Sequence, residues 1–323
     1  MARPSRELPT DHAARMRRAR ASLDGLSVGD AFGERFFVDL DIARSRIAAR
    51  TLPRPTWDTT DDTELAYAIV QVLDRFGCID QNALADRFAD RYQADPARGY
   101  GGTVHSILRA IGEGMPWHVV SREPFDGMGS MGNGAAARAA PIGAYFADDF
   151  DAVVREAHAS AEVTHSHLEG QAGAIATAVA AATVWRMRKA PSRQTLFDTV
   201  LHYVPEGETS RAIAEAAKLA PTTSIDFAAR KLGNGSRTLA VDTVPFALFC
   251  AGRHLGDYVS ALWSTVSALG DRDTTCAIVG SIIALCAPIP SAWLLSREPL
   301  GDRVPDSYHL TLATGRSVPP PDD

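Results

Sequence analysis

Apolar residues recur every three or four positions along almost the whole chain, which is the spacing of one face of an α-helix. Met16, Leu23 and Leu26 share such a face near the start, and Ile69 and Leu73 share another. No segment alternates polar and apolar residues for long enough to predict a strand. The same spacing predicts helices over residues 150–160, 166–188, 193–204, 208–219, 241–253 and 257–269.

The pattern therefore predicts a single all-α domain. The chain has 323 residues, and 46% of them are apolar, which is enough for one large core. We expect a flexible N-terminus over residues 1–12, one domain over 13–316 and a disordered, proline-rich tail over 317–323.

Charge and cysteine content narrow the choice of partners. The formal net charge of −6 offers no basic surface, so we expect no stable nucleic-acid binding. The four cysteines lack the spacing of metal ligands, which favours a reduced, cytoplasmic protein. Residues 277–295 are uncharged and long enough to cross a membrane, but Pro288 and Pro290 interrupt them. We expect a buried core helix there and no membrane partner.

Two short acidic clusters lie about 200 residues apart in the sequence, each just before an apolar helix. The first is Thr60, Asp61 and Asp62, and the second is Asp271, Asp273 and Thr274. Either could simply cap its helix, with a threonine hydroxyl on the backbone and carboxylates against the positive end of the dipole. Adjacent aspartates repel one another, however, and the pattern occurs twice. Oxygen ligands of this kind suit Mg²⁺ or Mn²⁺, and together they are enough for two ions.

A glycine-rich loop is the third feature. Residues 125–138 carry glycines at positions 127, 129, 132 and 134, and alanines that begin a helix follow. Unobstructed backbone amides at a helix N-terminus suit a phosphate or diphosphate. The loop is not a Walker loop, because no Lys-Ser/Thr pair follows it, and a plain turn is the alternative.

In this order along the chain, these motifs resemble the ADP-ribosylglycohydrolase family. The resemblance runs from about residue 15 to about residue 288, and its ordered set of motifs is far more specific than any single motif. It implies a compact, multi-helix orthogonal bundle. The motifs are Gly-Asp-Ala-Phe-Gly at 29–33, Thr-Asp-Asp-Thr at 60–63, Gly-Tyr-Gly at 99–101, Gly-Ser-Met-Gly-Asn-Gly at 129–134, Val-Thr-His-Ser at 163–166 and Gly-Asp-Arg-Asp-Thr at 270–274.

The resemblance also implies roles for individual residues. The two acidic clusters match the ligands of a binuclear Mg²⁺ or Mn²⁺ centre. Phe125 and His165 match positions that enclose the adenine ring in some members, although His165 could be satisfied by Thr164 and Phe125 could be a buried loop anchor. The loop for the distal ribose is matched by Gly99, Tyr100, Gly101 and Gly102, and the loop for the diphosphate by Gly129, Ser130, Met131, Gly132, Asn133 and Gly134.

One position departs from the family pattern. Many members carry a glutamate eight residues after the glycine that opens Gly-Asp-Ala-Phe-Gly, and Phe37 stands there in this chain. The nearest carboxylate is Glu34. Either Glu34 takes over the catalytic role of the missing group, or it is an ordinary surface residue.

The resemblance implies a metal-dependent hydrolase that cleaves the N- or O-glycosidic bond between ADP-ribose and an acceptor. The metal ions would hold the ribose hydroxyls and lower the pKa of a bound water, and Asp61 or Asp271 would accept its proton. The acceptor stays open among arginine, serine, a nucleic acid and O-acetyl-ADP-ribose. A silent ADP-ribose-binding protein and a two-metal phosphoester hydrolase are the alternative functions.

Overall fold

The structure, a computed structural model, describes residues 8–301, and within them every regular element is a helix. The predicted tail at 317–323 and most of the predicted flexible N-terminus lie outside these residues. The helices are α1 His12–Glu34, α2 Leu40–Ala48, α3 Asp61–Phe76, α4 Gln81–Ala94, α5 Gly102–Gly112, α6 Trp117–Val120, α7 Gly134–Ala137, α8 Ala140–Tyr145, α9 Phe150–Glu162, α10 Leu168–Arg186, α11 Arg193–Tyr203, α12 Glu208–Lys218, α13 Ile225–Leu232, α14 Ala240–Arg253, α15 Tyr258–Val266, α16 Arg272–Ile283 and α17 Ser291–Ser296.

The all-α prediction is confirmed, and the predicted helices lie where the apolar spacing put them. The largest difference concerns the second acidic cluster. Asp273 and Thr274 were predicted to precede their helix, whereas α16 begins at Arg272 and includes both residues. The sequence pattern did not predict six helices, which are the mostly exposed α2, in which only Ala43 is buried, and α4, α6, α8, α13 and α17.

Small residues set the most extensive helix contact among the described residues, which joins α1 to α16. Gly25, Gly29 and Gly33 lie one helical turn apart and face the backbone of α16. A Cβ atom at Gly29 would lie 2.1 Å from the carbonyl oxygen of Cys276, and one at Gly33 would lie 2.2 Å from that of Arg272. No side chain fits there, so the two backbones pack directly against each other.

Helix α10 forms the middle of the core. Its side chains are buried around almost its whole circumference, as expected for a helix that is apolar on every side. Helices α7, α8, α9, α11 and α14 pack around it. The alanine-rich sequence allows this close packing because alanine costs little side-chain entropy in a helix.

An aromatic cluster ties the last described segment to the start of α3. Phe32 stacks on Trp293 with ring centroids 4.8 Å apart, and Trp57 packs edge-on against both rings. The backbone of Trp57 pairs with the chain around Arg297 in an isolated parallel bridge. The segment after α17 is thereby fixed beside residues 57–62. None of the helices within residues 8–301 is both long and apolar enough to cross a membrane.

Because α1 and α16 pack backbone against backbone, one methyl group added on α1 should strongly lower the stability of the fold. We expect Gly29→Ala to lower the free energy of unfolding by roughly 3 kcal/mol, since the added Cβ overlaps rigid backbone. Chemical denaturation measures this. Gly101→Ala is the matched control, because a Cβ at Gly101 meets no atom within 4 Å. Equal stabilities of the two variants would contradict this packing.

Candidate active site

One cavity of about 350 Å³ collects most of the predicted site residues, and its size is within the range of small-molecule sites. Three predicted residues, Glu34, Thr60 and Tyr100, are not part of its wall. Gly102 also lines it, as predicted for the ribose loop, and Thr103, Val104, Met128, His167, Thr238 and Leu239 line it without having been predicted as site residues. The predicted residues on the wall are Asp61, Asp62, Gly99, Gly101, Phe125, Gly129, Ser130, Met131, Gly132, Asn133, Gly134, His165, Asp271, Asp273 and Thr274.

The N-termini of α3 and α16 form the acidic edge of the cavity, which consists of Asp61, Asp62, Asp271 and Asp273. The capping alternative holds for Thr60, whose hydroxyl accepts a hydrogen bond from the backbone N–H of Asp62 at 3.3 Å. It does not hold for Asp271, whose side chain makes no capping bond at the start of α16. Asp61, Asp62 and Asp273 lie in the first turns of their helices, where the dipole favours a carboxylate, so the capping alternative accounts for part of the acidic edge.

Two oxygens at the acidic edge are buried without a hydrogen-bond partner. They are Oδ2 of Asp62 and Oδ1 of Asp273. A buried polar atom left unpaired costs free energy, and an unpaired buried charge costs more. These orphaned oxygens indicate that the edge is built for a partner that protein atoms do not supply.

Burial raises the pKa of each carboxyl at the acidic edge, and the charges of other aspartates add to the effect. The pKa of Asp61 rises to about 7, through desolvation first and then through the charges of Asp30 and Asp271. Desolvation also raises the pKa of Asp62 and of Asp273, with neighbouring aspartates adding to the effect. A cation placed among them would reverse these shifts.

The donor set suits hard cations, but it is not assembled as a closed ligand shell. Across residues 8–301, no group of three or more His, Cys, Asp or Glu side chains is arranged to hold a metal ion. The oxygen-only composition and the two orphaned oxygens fit Mg²⁺ or Mn²⁺.

Asp30 supports the acidic edge from behind. Its carboxylate is fully buried and accepts hydrogen bonds from the backbone N–H of Thr60 at 2.9 Å, the Thr60 hydroxyl at 2.9 Å and the Thr63 hydroxyl. The Gly-Asp-Ala-Phe-Gly motif thus positions the first turn of α3. Burial raises the pKa of Asp30 to about 6 even with these donors.

A second support comes from two residues that the sequence analysis missed. Glu298 accepts hydrogen bonds from the N–H and the hydroxyl of Thr59, at 2.8 and 2.6 Å, and pairs with the guanidinium of Arg98. The Arg98 carbonyl accepts the N–H of Asp61 at 2.8 Å. Neither residue belongs to a motif, and only the chain path from α17 back to Trp57 brings them together.

Asn133 joins the glycine-rich loop to the acidic edge. Its side-chain amide donates to Oδ2 of Asp271 at 2.6 Å and to the hydroxyl of Thr243 at 3.0 Å. The amide therefore orients the Asp271 carboxylate. The loop thus positions an acidic side chain in addition to lining the cavity.

The glycines of the loop leave room where side chains would collide. Gly129 adopts a left-handed φ of 77°, and a Cβ there would lie 1.9 Å from Oγ of Ser166. A Cβ at Gly132 would lie 3.1 Å from Nε2 of His165. The predicted helix after the loop is confirmed as the short α7.

Phe125 and His165 lie on the same cavity but differ sharply in burial. Phe125 is 56% exposed, so the alternative of a buried loop anchor is wrong. His165 is buried, and its Nδ1 lies 2.7 Å from the Thr164 hydroxyl. Burial and the charge of Arg138 lower the pKa of His165 to about 3. The ring is therefore neutral at physiological pH.

The three predicted residues outside the wall lie behind or beside it. Thr60 lies under Asp61, where Asp30 binds it. The Tyr100 ring packs edge-on against Tyr92, and its buried hydroxyl has no hydrogen-bond partner. Desolvation raises the pKa of Glu34, with the charges of Asp30 and Asp58 adding to it. Phe37 stands where many family members carry a glutamate. The Arg272 guanidinium lies 4.6 Å from the centre of its ring.

Comparison with known proteins assigns this all-helical fold and its cavity to a family. The family model described as ADP-ribosylglycohydrolase matches residues 11–314, and the chain belongs to this family. It is 32% identical to the ADP-ribosylhydrolase ARH3 of Xenopus tropicalis, covering 88% of this chain and 92% of that protein.

Two further comparisons extend the likeness. The ADP-ribosyl-[dinitrogen reductase] glycohydrolase of Rhodospirillum rubrum is 27% identical, with 86% of this chain and 89% of that protein covered. A solved structure described as an ADP-ribosylglycohydrolase-related protein complex superimposes with a TM-score of 0.62 at 22% identity. It covers 90% of this chain and 94% of the other, and shows that the fold is shared.

The raised carboxyl pKa values predict how pH affects the metal-free protein. Asp30 and Asp61 have folded pKa values of about 6 and about 7, above the unfolded value of about 3.9. Between these limits the folded state binds more protons than the unfolded state, so stability falls as pH rises from about 4 to 7. We expect a higher Tm in EDTA at pH 5 than at pH 7.5, and Mg²⁺ to raise the Tm at pH 7.5. A Tm in EDTA that rises over this range would contradict the repulsion.

Proposed function

We propose that this protein hydrolyses the N- or O-glycosidic bond between ADP-ribose and an acceptor, with two Mg²⁺ or Mn²⁺ ions at the acidic edge. The observation that carries the proposal is the juxtaposition of the two acidic clusters in one cavity, with orphaned oxygens on Asp62 and Asp273. The family and the ADP-ribosylhydrolase relatives support the choice of ADP-ribose.

The proposed ligands are the two clusters identified in the sequence. When bound, the metal ions would hold the ribose hydroxyls and lower the pKa of a water molecule. The Thr60 hydroxyl is oriented by its bond to Asp30, and Asp62 and Asp273 contribute oxygens that have no protein partner. The full ligand set is Thr60, Asp61, Asp62, Asp271, Asp273 and Thr274.

Side chains of the acidic edge and of the glycine-rich loop carry out the proton transfer. Cleavage at an anomeric carbon passes through an oxocarbenium-like transition state. Asp61 or Asp271 accepts the proton of the attacking water. Asn133 holds Asp271 in orientation for this step.

The rest of the cavity binds the nucleotide, with the diphosphate and the adenine end held away from the reacting bond. Residues 129–134 hold the diphosphate, Phe125 and His165 hold the adenine end, and residues 99–101 line the distal ribose. Binding energy from these contacts orients the scissile bond above the acidic edge.

The product identifies the reaction. We expect the full chain with Mg²⁺ or Mn²⁺ to release free ADP-ribose from at least one member of a panel of arginine-linked, serine-linked, nucleic-acid-linked and O-acetyl ADP-ribose. EDTA should stop the reaction and added metal should restore it. Inorganic phosphate as the product would instead identify a phosphoester hydrolase, and ADP-ribose binding without any product would identify a silent member.

Asp273→Asn tests the acidic edge. We expect it to abolish turnover while the protein stays folded, because it removes a ligand charge from a cluster whose charges repel one another. Asp226→Asn is the control, since Asp226 lies on the surface of α13 and its side chain is 78% exposed. Turnover of the Asp273 variant at the rate of the control would refute the proposed ligand set.

Glu34 is tested separately, because its carboxyl is not on the cavity wall. If Glu34 performs the work of the glutamate that Phe37 replaces, Glu34→Ala lowers the rate by about a hundredfold, as for loss of a positioned acid–base group. A steady-state rate on the confirmed substrate measures this. Near-normal turnover would show that Glu34 is a structural residue.

A further inference from the structure

A buried arginine lies directly behind the nucleotide cavity. Arg138 follows α7 and has no solvent exposure, and its guanidinium lies 4.6 Å from the centre of the Phe88 ring. Its charge faces Asp61 and Asp62, which partly offset the effect of burial on its pKa of about 10. Nη2 donates to the Thr164 hydroxyl at 2.7 Å. The arginine thus joins the acidic edge to the loop that carries His165.

The Thr164 hydroxyl has one proton, and its neighbours determine where that proton goes. The oxygen accepts a hydrogen bond from Arg138 and lies 2.7 Å from Nδ1 of His165. In the described part of the chain these are its only two hydrogen-bond partners. Arginine cannot accept a hydrogen bond, and a buried hydroxyl proton left without an acceptor costs free energy. The only arrangement that pairs the hydroxyl proton directs it to Nδ1. Nδ1 is therefore the acceptor and carries no proton.

A neutral histidine whose Nδ1 is unprotonated carries its proton on Nε2. We propose that Arg138 and Thr164 are positioning residues that fix His165 as a neutral ring with its proton on Nε2. The ring then donates one hydrogen bond to an acceptor atom of the ligand. The tautomer follows from the structure alone, and only the identity of the ligand rests on the proposed function.

The position of Nε2 identifies the part of the cavity that this donor serves. Nε2 lies beside Gly132, where a Cβ would be 3.1 Å away, and Cε1 faces Gly134. No protein acceptor within residues 8–301 binds Nε2, and His165 lines the cavity. A ligand seated on the glycine-rich loop must therefore present an acceptor to this edge of the ring. A stacked ring without such a hydrogen bond would not need a fixed tautomer.

Nitrogen NMR of the ligand-free protein tests the tautomer. We expect the His165 ring to show an unprotonated Nδ1 and a protonated Nε2, with shifts that stay constant between pH 5 and 8. Signals that are absent from His165→Gln identify the ring among the nine histidines. A proton on Nδ1, or titration of the ring in this range, would overturn the proposal whether or not the protein binds ADP-ribose.

Two substitutions of Thr164 test whether its hydroxyl fixes the tautomer of His165. Thr164→Val removes the hydroxyl, and we expect ring shifts averaged between the two tautomers and about tenfold weaker ADP-ribose binding by calorimetry, the effect of one lost hydrogen bond. Thr164→Ser keeps the hydroxyl, so its affinity for ADP-ribose should stay within about twofold of that of the natural chain. Such a difference is well below the effect of losing one hydrogen bond.

The pair of variants separates a positioning role from a purely structural one. A valine variant that keeps the pure Nε2 tautomer and normal affinity would overturn the role of Thr164. If the valine variant fails to fold, the NMR signature of the natural chain and the affinity of Thr164→Ser still decide. Failure of the natural chain to bind ADP-ribose would contradict the proposed function and leave the tautomer result intact.

Discussion

The repulsion among buried carboxylates at one cavity is the constraint on which the rest of this structure depends. Asp61, Asp62, Asp271 and Asp273 come from two helix starts, and each would be more stable in water or apart. The fold holds them together by direct backbone packing of α1 on α16 and by the hydrogen bonds of Asp30 to the start of α3. Such an arrangement stores unfavourable charge that a cation or a developing positive charge relieves.

The supports of the cavity form one connected set of contacts. Asn133 links the glycine-rich loop to Asp271, and Arg138 places its charge near Asp61 and Asp62 while it binds Thr164. A ligand on the loop is therefore coupled to the acidic edge through side chains that are already ordered. Preorganisation of this kind lets binding energy go into orientation of the reacting bond.

Much of the fold and of the cavity could be predicted from the sequence, because both depend on local patterns. Apolar spacing located most helices, and the acidic clusters and the glycine-rich loop lie where helix starts expose backbone and side-chain oxygens. Contacts between distant segments had no local signal. Glu298 binds Thr59 only because the backbone bridge at Trp57 brings the end of the described chain beside it. The hydrogen bonds from Arg138 to Thr164 and between Thr164 and His165 likewise depend on where the buried Arg138 side chain lies. Glu34 is the last residue of α1 and does not line the cavity, which no local pattern indicated.

Direct measurement of metal binding tests the central claim, which is that the acidic edge exists to hold cations. Titration of the metal-free chain with Mn²⁺, followed by the electron paramagnetic resonance of the free ion, counts the bound ions. The account predicts saturation at two ions per chain, and loss of at least one of them in Asp62→Asn. The absence of saturable binding, or an unchanged count in that variant, would contradict it.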